Sequence, residues 1–521
     1  MKKIEPAEKN VFKLIFSKDN LGNISILSNG RIRVEGGKIH LDYKNNTDEI
    51  GVIQNSSAFI RTLHKNLLPL YVRAINKEIW ISNDVCELLI EGEEVPIRMV
   101  EILDAAAGSN GNRNALSHLL DQITILMPSS YYRISQKNDG LVIDWIEFYF
   151  NYTKNATKEE YLNYLIEQYR VTYLDSNEIC LALSGGYDSR LELAIFTHLK
   201  KNVHCFHYKT SKRESDLAKV VAETAGASFT LVSFEELISP GWDFLKHQGY
   251  LTRWDGFFAP AAITASGLYL KMINKFPGEV KCIMGTDARR YYRPSKTLME
   301  FYLLEEERRF TICQKYFPQY VDLLKVDKER RQIIITRLIS AIFSQCAKDG
   351  IAREDIINDI VATFLSFDGK HVSRSSFLFE NGAPYFTSRK NIWDFLISLP
   401  QQDKEKQNFL TWAIKTLDPR LDSLPYMYVS RSIPQRTLNS LARLPVFGKI
   451  IFGNYVDHIK IGDSQEWLRD SDVEYIMEIL PDIRLISKKA KNRKSELYIA
   501  QICRFLKTIQ EKKKVSFKFI R

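Results

Sequence analysis

The sequence predicts an α/β protein in three parts: a β-rich N-terminal domain, a parallel-sheet core and a helical C-terminal elaboration. Three observations predict it. Residues up to about 150 carry short alternating runs punctuated by Gly and Asn: NISILS, RIRVEGGKIHLDY, PLYVRAINKEIWISND and SYYRISQKNDGLVIDWIEFYF. That is the pattern of half-buried strands joined by hairpins. From about residue 156 apolar strand-like and amphipathic helix-like runs alternate, which implies parallel strands connected by covering helices. Beyond Tyr292 the pattern is helical nearly to the end. The resulting division is 1–150, 156–435 and 436–521.

Each element has its own signal. Within the β-rich part, SSAFIRTLHKNL and RNALSHLLDQITIL read as helical inserts. TKEEYLNYLIEQYRVTYL spaces its apolar residues as a helix does. EICLALS is an apolar strand and SRLELAIFTHLKK a helix; VHCFHY is the next strand. RESDLAKVVAETAG is a helix that closes on a C-cap glycine. SFTLVSF is a strand, SGLYLKMINKF a helix and VKCIMG a strand.

The bulk numbers bound the function. A chain of 521 residues with 45% hydrophobic and 26% charged content is a folded globular protein. No apolar run approaches the roughly 18 to 20 residues that span a bilayer, and MKKIEPAEKNVF lacks the apolar stretch of a secretory leader. A cytoplasmic protein without a transmembrane segment is expected. The seven cysteines are scattered with no C-x-x-C pair, as buried thiols in a reducing compartment would be. The net charge of +10 owes much to LISKKAKNRKSELYIAQICRFLKTIQEKKKVSFKFIR. That stretch reads as a solvated basic helix and tail, or as a weak contact for lipid or an acidic partner. In HCFH, His204 and Cys205 face opposite sides of a strand, which argues against a metal pair.

One hexapeptide carries chemistry. Ser184-Gly185-Gly186-Tyr187-Asp188-Ser189 joins the first strand of the parallel sheet to its helix. Ligands of open α/β sheets bind at that carboxyl edge. Paired glycines let backbone N–H groups approach an anion, and the helix adds its unpaired N–H groups and positive dipole end. The two serines add hydroxyl donors. Asp188 fits an anion site if Mg²⁺ comes with the phosphates, because that ion takes carboxylate and phosphate oxygens. The spacing is neither that of a Walker A loop nor that of a nucleophile elbow. An ordinary βα turn capped by Asp188 is the structural alternative.

The hexapeptide resembles the PP-loop of the N-type ATP pyrophosphatases, S-G-G-x-D-S. The resemblance implies ATP cleaved between its α and β phosphates, with ATP and Mg²⁺ as cofactors and a core like that of the adenine nucleotide alpha hydrolases. Further blocks resemble the asparagine synthetase-like branch. VKCIMGTDARRYY falls where that family has G-E-G-A-D-E, and keeps Gly285 and Asp287. LFENGAPYFTSRKNIWDFLISLP resembles E-x-R-x-P-F-L-D with its trailing S-L-P, keeping Glu380, Pro384 and Tyr385. LPYMYVSRSIPQR resembles L-P-x-x-V-x-x-R-x-K, keeping Leu424, Pro425 and Arg431. PLYVRAINKEIWISNDV and ITILMPSSYYRI resemble the glutaminase half, an Ntn-hydrolase-like fold. The likeness runs from about residue 50 to 435, strong at the hexapeptide and weaker elsewhere.

The resemblance implies that Leu183, Ser184, Gly185, Gly186, Asp188, Ser189, Tyr208, Gly285 and Arg289 hold the nucleotide, with Asp188 and Asp287 on the metal. It implies an adenylated carboxylate that an amine or ammonia then attacks, Glu380 deprotonating the amine and Arg431 on the active-site segment. Arg289, Arg290 and Arg293 would clamp pyrophosphate or an acidic acceptor. Two departures are plain. The family's glutaminase uses a cysteine after the initiator Met, and here residue 2 is Lys2, so no thiolate is present to hydrolyse glutamine. The family's lysine falls at Ile433, leaving Arg436 to supply its charge. Bland readings stand beside these roles: a surface turn for the arginines, an ion pair for Glu380, a helix cap for Asp287. An ATP-dependent amide ligase is expected, acting on a small-molecule, sugar or peptide carboxylate, with ammonia free or from a separate source. A non-catalytic nucleotide-binding relative and a tRNA-modifying PP-loop enzyme are the alternatives; no nucleic-acid partner is expected. The acceptor, the nitrogen donor and the choice between monomer and homodimer are left open.

Overall fold

The computed structural model describes residues 11–17, 25–28, 32–35, 38–43, 46–54, 57–63, 69–107, 118–137, 140–150, 156–208, 212–233, 236–237, 239–241, 243, 260–276, 281–283, 298–365, 390–404, 407–426 and 493–520. Two antiparallel sheets make up the N-terminal region. One has the order β10-β7-β8-β1-β2, from β1 Phe12–Phe16, β2 Ser25–Ser28, β7 Tyr71–Ile75, β8 Glu78–Ser82 and β10 Thr124–Ile125. The other has the order β12-β11-β6-β5-β4-β3, from β3 Ile32–Glu35, β4 Lys38–Tyr43, β5 Asn46–Gln54, β6 Ser57–Arg61, β11 Ser130–Lys137 and β12 Gly140–Phe148. Phe12, Leu14 and Phe16 of the first sheet share a core with Ile60 and Ile134 of the second. Asn76 and Lys77, both at positive φ, turn the β7–β8 hairpin.

The described parts of the two expected helical inserts are not helical. Ser57–Arg61 alternates half-buried and buried positions and pairs with both β5 and β11. Its apolar residues follow period 2, and two neighbouring strands satisfy its backbone. The described part of the second insert runs beside β9 Glu94–Arg98: Arg98 N–H donates to Leu119 O (2.9 Å) and Asp121 N–H to Pro96 O (2.9 Å). It then enters β10. The helix of this region is instead α1, Met99–Ala107.

The parallel sheet forms as expected, from β13 Glu178–Ala182, β14 Asn202–Tyr208, β15 Ser228–Val232 and β16 Lys281–Ile283, in the order β15-β14-β13-β16. Its three pairings are all parallel. Around it lie α2 Lys158–Thr172, α3 Tyr187–His198, α4 Lys212–Thr224 and α5 Pro260–Lys275. Thr157 and Glu160 cap α2 reciprocally, and Gly226, at φ +75, ends α4 as the sequence implies. Gly267 lets α5 lie against the chain at Leu237, whose carbonyl oxygen is 2.0 Å from where a Cβ would stand.

The helical part holds α6 Leu298–Tyr316, α7 Val321–Lys348, α8 Glu354–Leu365, α9 Lys390–Ser398, α10 Gln401–Lys404, α11 Asn408–Leu417, α12 Pro419–Ser423 and α13 Arg493–Lys513. The basic C-terminus departs from the expected solvated tail. Phe505 and Ile509 of α13 enter one core with Leu103 of α1, and with Cys313 and Phe317. The chain then adds β17, Ser516–Ile520, which pairs parallel with β9. Cys86, Cys180, Cys205, Cys313, Cys346 and Cys503 are buried thiols. Among the described residues no helix is long and apolar enough to cross a membrane.

Candidate functional site

The sheet order decides where a ligand can sit. β13 lies between β14 on one side and β16 on the other. Chain connections leave β13 and return to the opposite edge, which makes the β13–β16 boundary the topological switch point. The ladder continues one residue past β13, with Leu183 N–H donating to Phe206 O at 2.8 Å. The SGG turn therefore begins at Ser184, and Gly186 is the N-cap of α3 in extended backbone without a side-chain cap. The first N–H groups of the helix thus have no capping side chain. The N-cap role expected of Asp188 under the ordinary-turn reading falls to Gly186, and Asp188 sits in the first turn.

The loop is laced through its two serines. Ser184 N–H donates to Ser189 Oγ at 3.0 Å, the two hydroxyls are 3.1 Å apart, and Gly186 N–H donates to Ser184 Oγ at 3.2 Å. Both hydroxyls are thus within the loop's own network, with Ser189 buried and Ser184 half-buried. An anion seated over the loop would draw Gly186 N–H and a serine hydroxyl outward, replacing neutral bonds by charge-assisted ones. Asp188, half-buried, sets one carboxylate beside this turn. One carboxylate together with phosphate oxygens is a donor set that fits Mg²⁺.

On the neighbouring strand, His207 Nδ1 and Leu183 O are 2.8 Å apart. A carbonyl only accepts, so Nδ1 carries the proton. The Nε2 atom is buried without a hydrogen-bond partner among the described residues. Burial pushes the His207 imidazole below its ordinary value, against the opposing pull of the Leu183 carbonyl and Glu214. A base depressed in the folded state adds stability above its unfolded value and loses it as pH falls. Wild-type protein is thus expected to lose urea resistance as pH drops through about 6.5, the ordinary histidine value. His207→Leu is expected to flatten that part of the curve, and parallel curves for both proteins would refute the assignment.

Tyr208 ends β14 beside this ring, stacked on it at 6.1 Å. His204 faces elsewhere: it stacks on Phe276 at 4.1 Å, bonds to Ser228 Oγ at 2.8 Å and pairs with Glu178. Cys205 turns into the core under α3, where burial pushes its thiol up to about 12.

The structure thus brings Leu183, Ser184, Gly185, Gly186, Asp188, Ser189 and Tyr208 to one sheet edge. Gly285, Asp287, Arg289, Arg290, Arg293, Glu380, Arg431 and Arg436 lie outside the described residues. Sequence reasoning missed Arg190 and Glu192. Residues Ser189 to Phe196 of α3 are all buried, so a stretch with two charged side chains has no solvent face. Tyr169 OH donates to Glu192 Oε1 at 3.2 Å. No protein-family model matches the chain, and no curated protein matches it significantly.

Proposed function

We propose that the chain is an ATP-dependent, AMP-forming carbon–nitrogen ligase of the asparagine synthetase-like kind, with a PP-loop core and a glutaminase-like N-terminal region that has lost its nucleophile. The observation that carries this reading is the Ser184–Ser189 turn, placed between a central parallel strand and an uncapped helix at the switch point of the sheet. Such a turn suits a polyphosphate through backbone N–H groups and the helix dipole. In this reading Ser184, Gly185, Gly186 and Ser189 bind the β and γ phosphates. Asp188 would hold Mg²⁺ together with phosphate oxygens, and the ion would supply charge neutralisation as pyrophosphate leaves. The substrate carboxylate is positioned to attack the α phosphorus, and rate comes mainly from orientation and charge. Arg289, Asp287, Glu380, Arg431 and Arg436 keep the roles the resemblance implies. Ammonia or a substrate amine completes the amide, since residue 2 is Lys2 and not the family's cysteine.

A second reading, a nucleotide-binding relative without turnover, is favoured by the GTDARR sequence and by Ile433 in the lysine position. One assay separates them. Purified protein with ATP and Mg²⁺ is offered sugar, peptide and small-molecule carboxylates with ammonium or glutamine, and pyrophosphate and AMP are measured. Acceptor-dependent pyrophosphate release with ammonium but not glutamine supports the ligase. Nucleotide binding without release across the panel supports the second reading, and no nucleotide binding removes both.

A further inference from the structure

Arg190, the residue after the SGGYDS turn, is 0% exposed. Its guanidinium is spent on neutral groups. Nη1 donates to Leu421 O (3.0 Å) and Leu424 O (3.1 Å), and Nη2 to Pro425 O (2.7 Å) and Gly185 O (3.5 Å). Its Cζ stands 3.9 Å from the ring centre of Tyr426. That ring in turn stacks on Tyr187 of the turn, 3.9 Å away and 12° from parallel. The Nε atom has no hydrogen-bond partner among the described residues. Nor does any described carboxylate form an ion pair with Arg190. Asp422 acts on Arg190 at a distance, and its carboxylate accepts from Tyr426 OH at 3.0 Å.

A buried charge held by carbonyl dipoles, with no carboxylate in direct contact, is favoured by a counter-charge arriving beside it. A guanidinium also stays charged under any physiological condition. Arg190 touches the turn at Gly185, so the place where a counter-charge would complete the arrangement is the anion seat above it. We infer that Arg190 is an electrostatic positioning residue whose counter-ion is a polyphosphate held by the Ser184–Ser189 backbone. Its grip on the carbonyls of residues 421–425 presses Tyr426 onto Tyr187 and fixes the helical part against the turn. This rests on the nucleotide reading above and names what stabilises the anion in it. A purely structural staple would need the same hydrogen bonds but not the charge.

The test uses the full chain, inorganic pyrophosphate in Mg²⁺ buffer, and calorimetric titration beside thermal unfolding. Arg190→Gln keeps donors and removes the charge; Arg190→Lys keeps the charge and loses the fork. Both variants are expected to melt below wild type. Pyrophosphate affinity is expected to fall about 10- to 100-fold in Arg190→Gln, as for one unit charge several ångströms away at intermediate dielectric. Arg190→Lys is expected to stay within about threefold of wild type, since the Coulomb attraction survives. Equal loss in both variants, or none in Arg190→Gln, overturns the inference and leaves the nucleotide reading standing. A wild-type chain that binds neither pyrophosphate nor ATP overturns the nucleotide reading, and this inference with it. Should Arg190→Gln fail to fold, the Lys variant carries the test. Its affinity should fall faster than that of wild type as pH rises toward about 10.4, where lysine discharges, and matching profiles overturn the inference.

Discussion

Arg309→Met is expected to remove about 3–5 kcal/mol of folding stability, the range for breaking one partner out of a buried ionic network. Arg309 on α6 bonds Asp104 of α1, Glu306 of its own helix at 2.9 Å and Asp327 of α7 at 2.6 Å. Arg331 of α7 donates to the same Glu306 at 3.0 Å and faces Glu101 of α1 at 3.7 Å. Cys313 Sγ donates to Asp104 at 3.0 Å. All six charged groups are at most 9% exposed. Two guanidiniums thus face four carboxyl groups, and removing Arg309 takes a direct guanidinium bond from Asp104 and Asp327 at once, while Glu306 keeps Arg331. Burial already pushes the Asp327 carboxyl above its ordinary value despite both arginines. In Arg309→Met, with its strongest opposing cation gone, it should rise further. The check is the urea midpoint of wild type and variant at fixed pH. A triple variant that also changes Asp104 and Asp327 to Leu should recover much of the loss, because unpaired charge does the damage and apolar replacements can pack. A loss below about 1 kcal/mol in the single variant, the value of an exposed pair, would mean that the network is wet.

That network also marks where sequence reading stops. Asp104 and Arg309 are 205 residues apart, and no local pattern brings them together. The alternation of β13 to α4 was legible because short apolar runs of strand length alternate with longer runs of helix length, the last closing on Gly226. The turn at Ser184 was legible for the same local reason. Ser57–Arg61 was not: five residues hold too few apolar positions to separate period 2 from period 3.6, and its neighbours on both sides come from elsewhere in the chain. At the C-terminus, SFKFI alternates as a strand does, but Lys518 and the lysines just before the run read as a tail. What settles it is the edge of β9, which residues 94–98 present. Arg190 and Glu192 misled in the opposite sense. Charge at two of the eight positions from Ser189 to Phe196 suggests a wet face, yet α3 is covered all round. Buried charge inside an otherwise apolar helix is the signal that was present and easily overlooked.

Asp188→Asn is expected to lower acceptor-dependent pyrophosphate release by about 10²–10³-fold, the scale for losing one charge-stabilising group from a preorganised site. Asn keeps the shape and removes the negative charge. The loss should therefore appear with little change in melting temperature and with a higher Mg²⁺ concentration for half-maximal rate. Ser184→Ala is the informative companion, and its effect should be smaller, about tenfold, because two consequences oppose each other. The substitution deletes a hydroxyl donor. It also releases Gly186 N–H, which now donates to Ser184 Oγ at 3.2 Å, and separates Ser189 Oγ from its neighbour at 3.1 Å. Both released groups then point free donors toward the anion. A Ser189→Ala variant also releases donors, but Ser189 Oγ accepts the Ser184 N–H at 3.0 Å, and losing that tie between the two ends of the turn loosens the turn itself. The expected order of damage is Asp188→Asn, then Ser189→Ala, then Ser184→Ala. Pyrophosphate release that survives Asp188→Asn at wild-type Mg²⁺ demand would place the metal on other carboxylates. Equal damage from both serine variants would show that the hydroxyls act as donors to the phosphates and not as ties within the turn.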